Sequence, residues 1–295
     1  MEFKLFDKTI QLKDYYCEQK GYAKCPVERP YVNMYVQFRG CNANCPFCEF
    51  KDVATYFDLS AFTDAITEVS KKIEIRKISF TGGEPTLKLG NLIAAVNVAR
   101  KKVPSAFRVL NTNGLNLNEL YSLGLDKYLN SISLSRHHFD NDINNTILVF
   151  NAPTDKDITR IQKNTTDKFK LHLSCNIIKG HIDSNEKIQE YLEAAASMGI
   201  HDTGFVSLMK ANEYAKSHYV DFSTIIETNN NLHNIKEWHY KDICKCNNYM
   251  YIPKNTNYDA VQTYSRCAIK PSCSTNLLVF DGANLREGFN GKVIY

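Results

Sequence analysis

Tyr31-Val-Asn-Met-Tyr-Val-Gln-Phe-Arg39-Gly40-Cys41-Asn-Ala-Asn-Cys45-Pro-Phe-Cys48 is the stretch on which the reading of this chain turns. Its first half, Tyr31–Arg39, is dense in β-branched and aromatic residues and reads as a strand. Its second half sets three cysteines on one short loop directly after that strand. A [4Fe–4S] cube has four irons, each needing a ligand, so three thiolates leave one iron open. An open iron suits a cluster that binds a substrate or cofactor directly, whereas electron carriers normally close all four positions. The competing reading is structural zinc, because Cys45 and Cys48 alone form a C-x2-C knuckle. Zinc explains neither Cys41 nor the position after a strand.

Working outward, five more runs of the same character follow at Lys77–Thr81, Phe107–Asn111, Tyr128–Leu134, Lys170–Asn176 and Thr203–Leu208. Between them lie helix-period segments: Phe62, Ile66 and Val69; Leu92, Val96 and Ala99; Ile188, Leu192 and Ala195. Strand and helix alternate at the size of a βαβ unit, so the strands should be parallel with right-handed crossovers. The expected fold class is α/β, a partial (β/α)6 barrel. Chemistry in such a barrel gathers at the carboxyl ends of its strands. The unusual residues fall there: the cysteine loop, then Gly82-Gly83-Glu84-Pro85, then Asn111-Thr112-Asn113-Gly114, then Ser133-Leu134-Ser135-Arg136-His137-His138. Gly82 and Gly83 would let the backbone approach a ligand closely, with the Glu84 carboxylate beside them. After residue 215 the alternation weakens. Residues 1–30 are expected to be an N-terminal extension, 31–215 the barrel, and 216–295 a small α+β cap whose Phe222–His233 segment reads as a helix.

Composition narrows the class further. The 295 residues are 43% apolar, enough for a large core. With 36 basic and 32 acidic residues the net charge is +4, spread without runs, so nucleic-acid binding is not signalled. No window approaches the roughly 20 apolar residues of a membrane span, and Met1–Gln11 has no signal-peptide core. A cytoplasmic protein is expected. In that compartment its ten cysteines point to metal rather than to disulfides.

The C-x3-C-x2-C spacing, with Phe47 before the third cysteine, resembles the signature of the radical S-adenosylmethionine (SAM) superfamily. The ordered set Arg39-Gly40-Cys41, Thr81-Gly82-Gly83-Glu84-Pro85, Asn111-Thr112-Asn113-Gly114, Ser131-Ile132-Ser133-Leu134, Asn176-Ile177-Ile178-Lys179-Gly180 and Phe205-Val206-Ser207-Leu208-Met209 is similar to the GTP 3′,8-cyclase family of molybdenum-cofactor biosynthesis. The resemblance implies that Cys41, Cys45 and Cys48 hold a [4Fe–4S] cluster. It further implies that Gly82, Gly83 and Glu84 hold the amino group of SAM, and that Phe47, Ser133, Asn176 and Met209 contact it. It implies reductive cleavage of SAM, hydrogen abstraction from substrate, and a flavodoxin- or ferredoxin-type reductant. A non-catalytic iron–sulfur or zinc protein is the alternative of a different class.

Departures from the family remove its substrate. Where it carries basic residues for GTP this chain has Met34, Ser79 and Ser174, which cannot replace charge-assisted contacts to a triphosphate. The Gly-Gly tail is also missing. Asp281-Gly282 follows Cys273 as a similar pair follows the second auxiliary-cluster cysteine of the family, but the third such cysteine has no counterpart near Glu287 or Gly288. Cys244, Cys246, Cys267 and Cys273 could furnish a second [4Fe–4S] cluster in another arrangement, a zinc site, or buried thiols. Arg136, His137 and His138 are candidates for touching substrate or carrying a proton, or else cap a helix. The expected substrate is a small molecule, with ribosomal peptide modification as the alternative.

Overall fold

The computed structural model describes residues 2–12, 31–50, 54–124, 127–165, 169–221, 225, 232–234, 247–266 and 276–295. Its strands are β1 (Glu2–Leu5), β2 (Lys8–Gln11), β3 (Tyr31–Phe38), β4 (Glu74–Gly82), β5 (Phe107–Thr112), β6 (Ser131–Ser135), β7 (Lys170–Ile177), β8 (Asp202–Ser207), β9 (Leu232–Asn234), β10 (Asn247–Tyr251), β11 (Val261–Arg266), β12 (Leu277–Phe280) and β13 (Leu285–Glu287). Its helices are α1 (Leu59–Lys72), α2 (Leu89–Lys102), α3 (Leu117–Ser122), α4 (Asn141–Leu148), α5 (Asp155–Lys163), α6 (Asn185–Ser197) and α7 (Glu213–Ser217). From β3 to α7 each strand is followed by helix, which is the expected six-fold β/α run. The chain divides into two compact units: Met1–Asn42 with Phe50–Ile132 and Ser274–Tyr295, and Ala43–Glu49 with Ser133–Cys273.

In the first unit the strands lie in the order β13-β12-β3-β4-β5, with β12, β3, β4 and β5 parallel. The helices form where the 3.6-residue period places apolar side chains on one face. Phe62, Ala65, Ile66 and Val69 of α1 are buried, as are Leu92, Ala95, Val96 and Ala99 of α2. Each fully buried large side chain stabilises by about 1.5–3 kcal/mol, which outweighs the modest helix propensity of Val, Ile and Phe. Asp58 starts α1 by accepting from the Ala61 amide, and its own amide donates to the Gly282 carbonyl at 2.8 Å. Residues 2–11, expected only as an extension, form the antiparallel β1–β2 hairpin, with Leu5 and Ile10 buried.

In the second unit the order is β7-β8-β11-β10-β9, with β7, β8 and β11 parallel and β9, β10 and β11 antiparallel. Gly204 opens the place that β11 takes beside β8, because a β-carbon there would stand 2.2 Å from Cζ of Tyr264. The Tyr264 hydroxyl lies 2.9 Å from Nε2 of His172, and His172 Nδ1 lies 3.2 Å from the Asp202 carboxylate.

Of the described strands beyond residue 215, β11 pairs with β8 in the second unit and β12 pairs with β3 in the first. The physical reason is that each covers a strand edge whose amides and carbonyls would otherwise go unpaired. Within Phe222–His233, read as a helix, Leu232–Asn234 is instead a strand paired with β10. Cys244, Cys246, Cys267 and Cys273 lie outside the described residues.

Candidate active site

Cys41 follows β3 in the first unit, and the turn after β4 holds its loop in place. The Gly83 amide donates to the Phe38 carbonyl and the Glu84 amide to the Gly40 carbonyl, both at 2.8 Å. Only glycine permits this approach. Gly82 has φ +114° and a β-carbon there would lie 2.4 Å from the Phe38 oxygen; one on Gly83 would lie 1.9 Å from the Gly40 oxygen. The two glycines therefore clear space for the backbone that carries Cys41, where the sequence suggested an approach to a ligand.

Glu84 is held by hydrogen bonds from the protein itself. Its side chain is buried, and one carboxylate oxygen accepts from the Thr86 amide at 2.9 Å, the Thr86 hydroxyl at 2.6 Å and the Thr112 hydroxyl at 2.7 Å. The other accepts from the Asn113 amide at 2.7 Å. Burial pushes this carboxyl above its ordinary range, opposed by hydrogen bonds from Thr112, Thr86 and Asn113. Such a carboxylate is spent on tying the β4 turn to the end of β5, so a ligand at this turn would meet its backbone. Beyond Asn113 the connection continues: its side-chain amide donates to Asn42 Oδ1 at 2.9 Å and lies 4.0 Å from the Cys41 sulfur. On the outer side of the same loop, Arg39 Nε donates to the Asp281 carbonyl at 2.9 Å, and the Asp281 carboxylate pairs with Arg286.

In the second unit, Cys45 and Cys48 form one turn, with the Cys48 amide donating to the Cys45 carbonyl at 3.1 Å. The Asn44 amide donates to the Leu148 carbonyl at 3.2 Å, and the Asn212 side chain donates to the Pro46 carbonyl at 3.1 Å. Phe47 packs on Ile147, Ile178, Leu208 and Ala215 and meets the His137 ring edge-on, centroids 5.2 Å apart. Cys41, Cys45 and Cys48 are half-buried thiols outside any disulfide. Among the described residues no three His, Cys, Asp or Glu side chains gather as the ligand group of a single ion.

Arg136, His137 and His138 are all buried, and each makes side-chain hydrogen bonds within the protein, although Arg136 Nε has no partner among the described residues. The Arg136 guanidinium donates to the Phe139 carbonyl and Asn141 Oδ1 and pairs with Asp155, tying the loop after β6 to α4 and α5. His137 Nδ1 accepts from the Asn176 amide at 3.0 Å, which puts the ring proton on Nε2. Burial pushes its pKa down to about 4, so it is neutral at physiological pH. His138 Nδ1 accepts from the Asp140 amide at the start of α4 at 3.0 Å. His138 thus meets the amide of the residue that begins α4, and Arg136 braces the same segment. Ser133 and Asn176 are half-buried on their strands, and Met209 is 59% exposed. Reading the sequence for functional side chains missed Asn42, Thr112 and Asp281. Their one signal was position, beside the cysteines or within a motif already singled out.

A parallel β/α run with thiols after its first strand and a glycine turn after its second defines a class. The model of the radical SAM superfamily matches residues 35–213, and the chain belongs to that superfamily. That superfamily uses a [4Fe–4S] cluster and SAM, and the fold class is α/β, the partial (β/α)6 barrel.

Among particular relatives, it is 31% identical over 121 residues to a probable GTP 3′,8-cyclase of Thermoplasma volcanium, covering 39% of this chain and 35% of the relative. The match thus spans about a third of the length of that relative. Among solved structures, the chain resembles Streptococcus suis SuiB bound to S-adenosylmethionine (TM-score 0.53, 15% identity, 66% of this chain and 44% of that one). A radical SAM methyltransferase from Sphaerobacter thermophilus gives a TM-score of 0.51 at 14% identity, covering 64% of this chain and 59% of that one. At such identities the likeness is one of fold. No helix among the described residues is long and apolar enough to cross a membrane.

Proposed function

We propose that Cys41, Cys45 and Cys48 hold the [4Fe–4S] cluster with one iron open to SAM, and that the chain abstracts hydrogen from a small-molecule or peptide substrate. The donor set fits the group: three thiols outside any disulfide, with a buried amide nitrogen of Asn42 that has no hydrogen-bond partner among the described residues next to the first of them. The observation that carries the reading is the pair of 2.8 Å backbone hydrogen bonds locking the Gly82-Gly83-Glu84 turn onto the strand end before Cys41.

The cluster and SAM together supply a one-electron cleavage of a C–S bond and with it a carbon radical able to take hydrogen from an unreactive position. The protein's residues bind and orient. Backbone of the Gly82-Gly83 turn meets the methionine part of SAM, with Glu84 fixing the turn from beneath. Phe47, held by its apolar neighbours and by neutral His137, is a further SAM contact. Ser133, Asn176 and exposed Met209 complete the SAM contacts, and the reductant is of flavodoxin or ferredoxin type. Met34 and Ser79 are buried and Ser174 is half-buried, all uncharged, which supports a substrate other than a nucleoside triphosphate.

Anaerobic reconstitution followed by SAM and dithionite tests this. About four irons per chain and accumulating 5′-deoxyadenosine are expected, and the Cys41→Ala, Cys45→Ala, Cys48→Ala triple variant should lose both. Zinc without product would overturn the reading. An iron count of about eight would assign a second cluster to Cys244, Cys246, Cys267 and Cys273; about four would leave those thiols without one.

A further inference from the structure

We propose that the Asn42 side-chain amide is a built-in hydrogen-bond donor to the sulfur of the cluster held by Cys41, raising its reduction potential, and that Asn113 and Glu84 aim it. This rests on the assignment of Cys41 as a cluster ligand.

Asn42 Nδ2 is buried and makes no hydrogen bond to any described residue. A buried N–H without an acceptor costs about 1–3 kcal/mol, so the position calls for an acceptor beyond the described residues. The orientation is forced through a chain of contacts. The Leu115 amide donates to Asn113 Oδ1 at 3.0 Å, which leaves Asn113 Nδ2 as the group facing Asn42. Of the two ends of the Asn42 carboxamide only the oxygen can accept from that nitrogen, and it does so at 2.9 Å. Reversing the Asn42 amide would set two N–H donors against each other, so Nδ2 must be the end turned away. The backbone beneath is fixed as well, since the Asn113 amide donates to the buried Glu84 carboxylate at 2.7 Å. Asn113 Nδ2 itself lies 4.0 Å from the Cys41 sulfur, and Asn42 is the next residue in the chain after that cysteine.

Cluster sulfurs and cysteinate sulfurs accept such hydrogen bonds, and N–H···S contacts stabilise the reduced, more negative state. Asn42 thus acts on electron entry, and Asn113 and Glu84 are its positioning residues. Leucine in its place keeps the size of the side chain and removes both the donor and the acceptor.

The test is a redox titration of the reconstituted protein followed by the EPR signal of the reduced cluster. Iron content is measured first. Asn42→Leu is expected to keep about four irons per chain and to show a lower midpoint potential than the parent. Asn113→Leu, which leaves the Asn42 amide unaimed, should move it the same way. Asn116→Ala serves as the control, because that carboxamide donates to the Thr86 carbonyl at 2.8 Å instead, and its potential should match the parent. Cluster-loaded variants with unchanged potential, or an Asn116→Ala shift as large as that of Asn42→Leu, would overturn the inference. Failure of the parent itself to bind iron would instead overturn the assignment of the cysteines.

Discussion

Gly83 has no room for a methyl group: its β-carbon would sit 1.9 Å from the carbonyl oxygen of Gly40. Backbone, unlike the end of a side chain, cannot swing aside, so the strand end before Cys41 must move. Overpacking of this kind typically costs about 1–3 kcal/mol. Gly83→Ala should lower the urea midpoint accordingly and reduce iron retained after reconstitution, measured per chain. A control is Gly90→Ala on α2, where nothing lies within 4 Å of the added carbon and helix propensity favours alanine by about 1 kcal/mol. Gly82-Gly83 was legible as a special turn, because paired glycines interrupt an otherwise strand-rich pattern. What it approaches was not, since Gly40 lies more than forty residues earlier in the chain.

At the scale of the element, the segment joining β6 to α4 shows how strand ends are locked. His137 takes the Asn176 amide of β7 on Nδ1, and its own amide donates to Asn144 Oδ1 of α4 at 2.7 Å. The ring is buried and holds its pKa near 4, below the ordinary 6.5. Between those values the unfolded chain binds the proton and the folded one does not. The contribution is therefore fully present above pH 6.5 and is lost as pH falls toward 4, amounting to about 3 kcal/mol. Urea unfolding of the cluster-free chain should show this fall between pH 7 and 4.5, and His137→Gln should flatten it; parallel slopes for the two proteins would contradict the buried-neutral assignment. The helices α1, α2 and α6 were legible because one apolar face at the helical period records its own burial: Phe62, Ile66, Leu92, Val96, Ile188 and Leu192 are all fully buried. Leu232 and His233 were not, since so short a stretch shows no period of its own and pairing with Tyr251 and Met250 decided for strand.

For the whole molecule, the C-terminal residues bear on the cysteine loop although they are remote in sequence. Leu278, Val279 and Phe280 of β12 pair with Met34, Tyr35 and Val36, and Asp281 holds Arg39 two residues before Cys41. Deleting residues 276–295 would expose the β3 edge and release Arg39. The shortened chain should aggregate or bind less iron than the parent under identical reconstitution; equal iron content and solubility would show that this edge is dispensable.

The sequence alone determined the superfamily, the β/α alternation and the three thiols, because these are local: soft donors at fixed spacing, and periods of two and of 3.6 residues. Tertiary structure decided what the neighbouring polar residues do. Glu84, His137 and Arg136 carry the residue types of a reaction site, yet their polar atoms meet partners such as Thr112, Asn176 and Asp155. A side chain's chemistry is fixed by its type, but whether that chemistry is spent on the fold or left for a ligand depends on which distant groups are brought within hydrogen-bond reach.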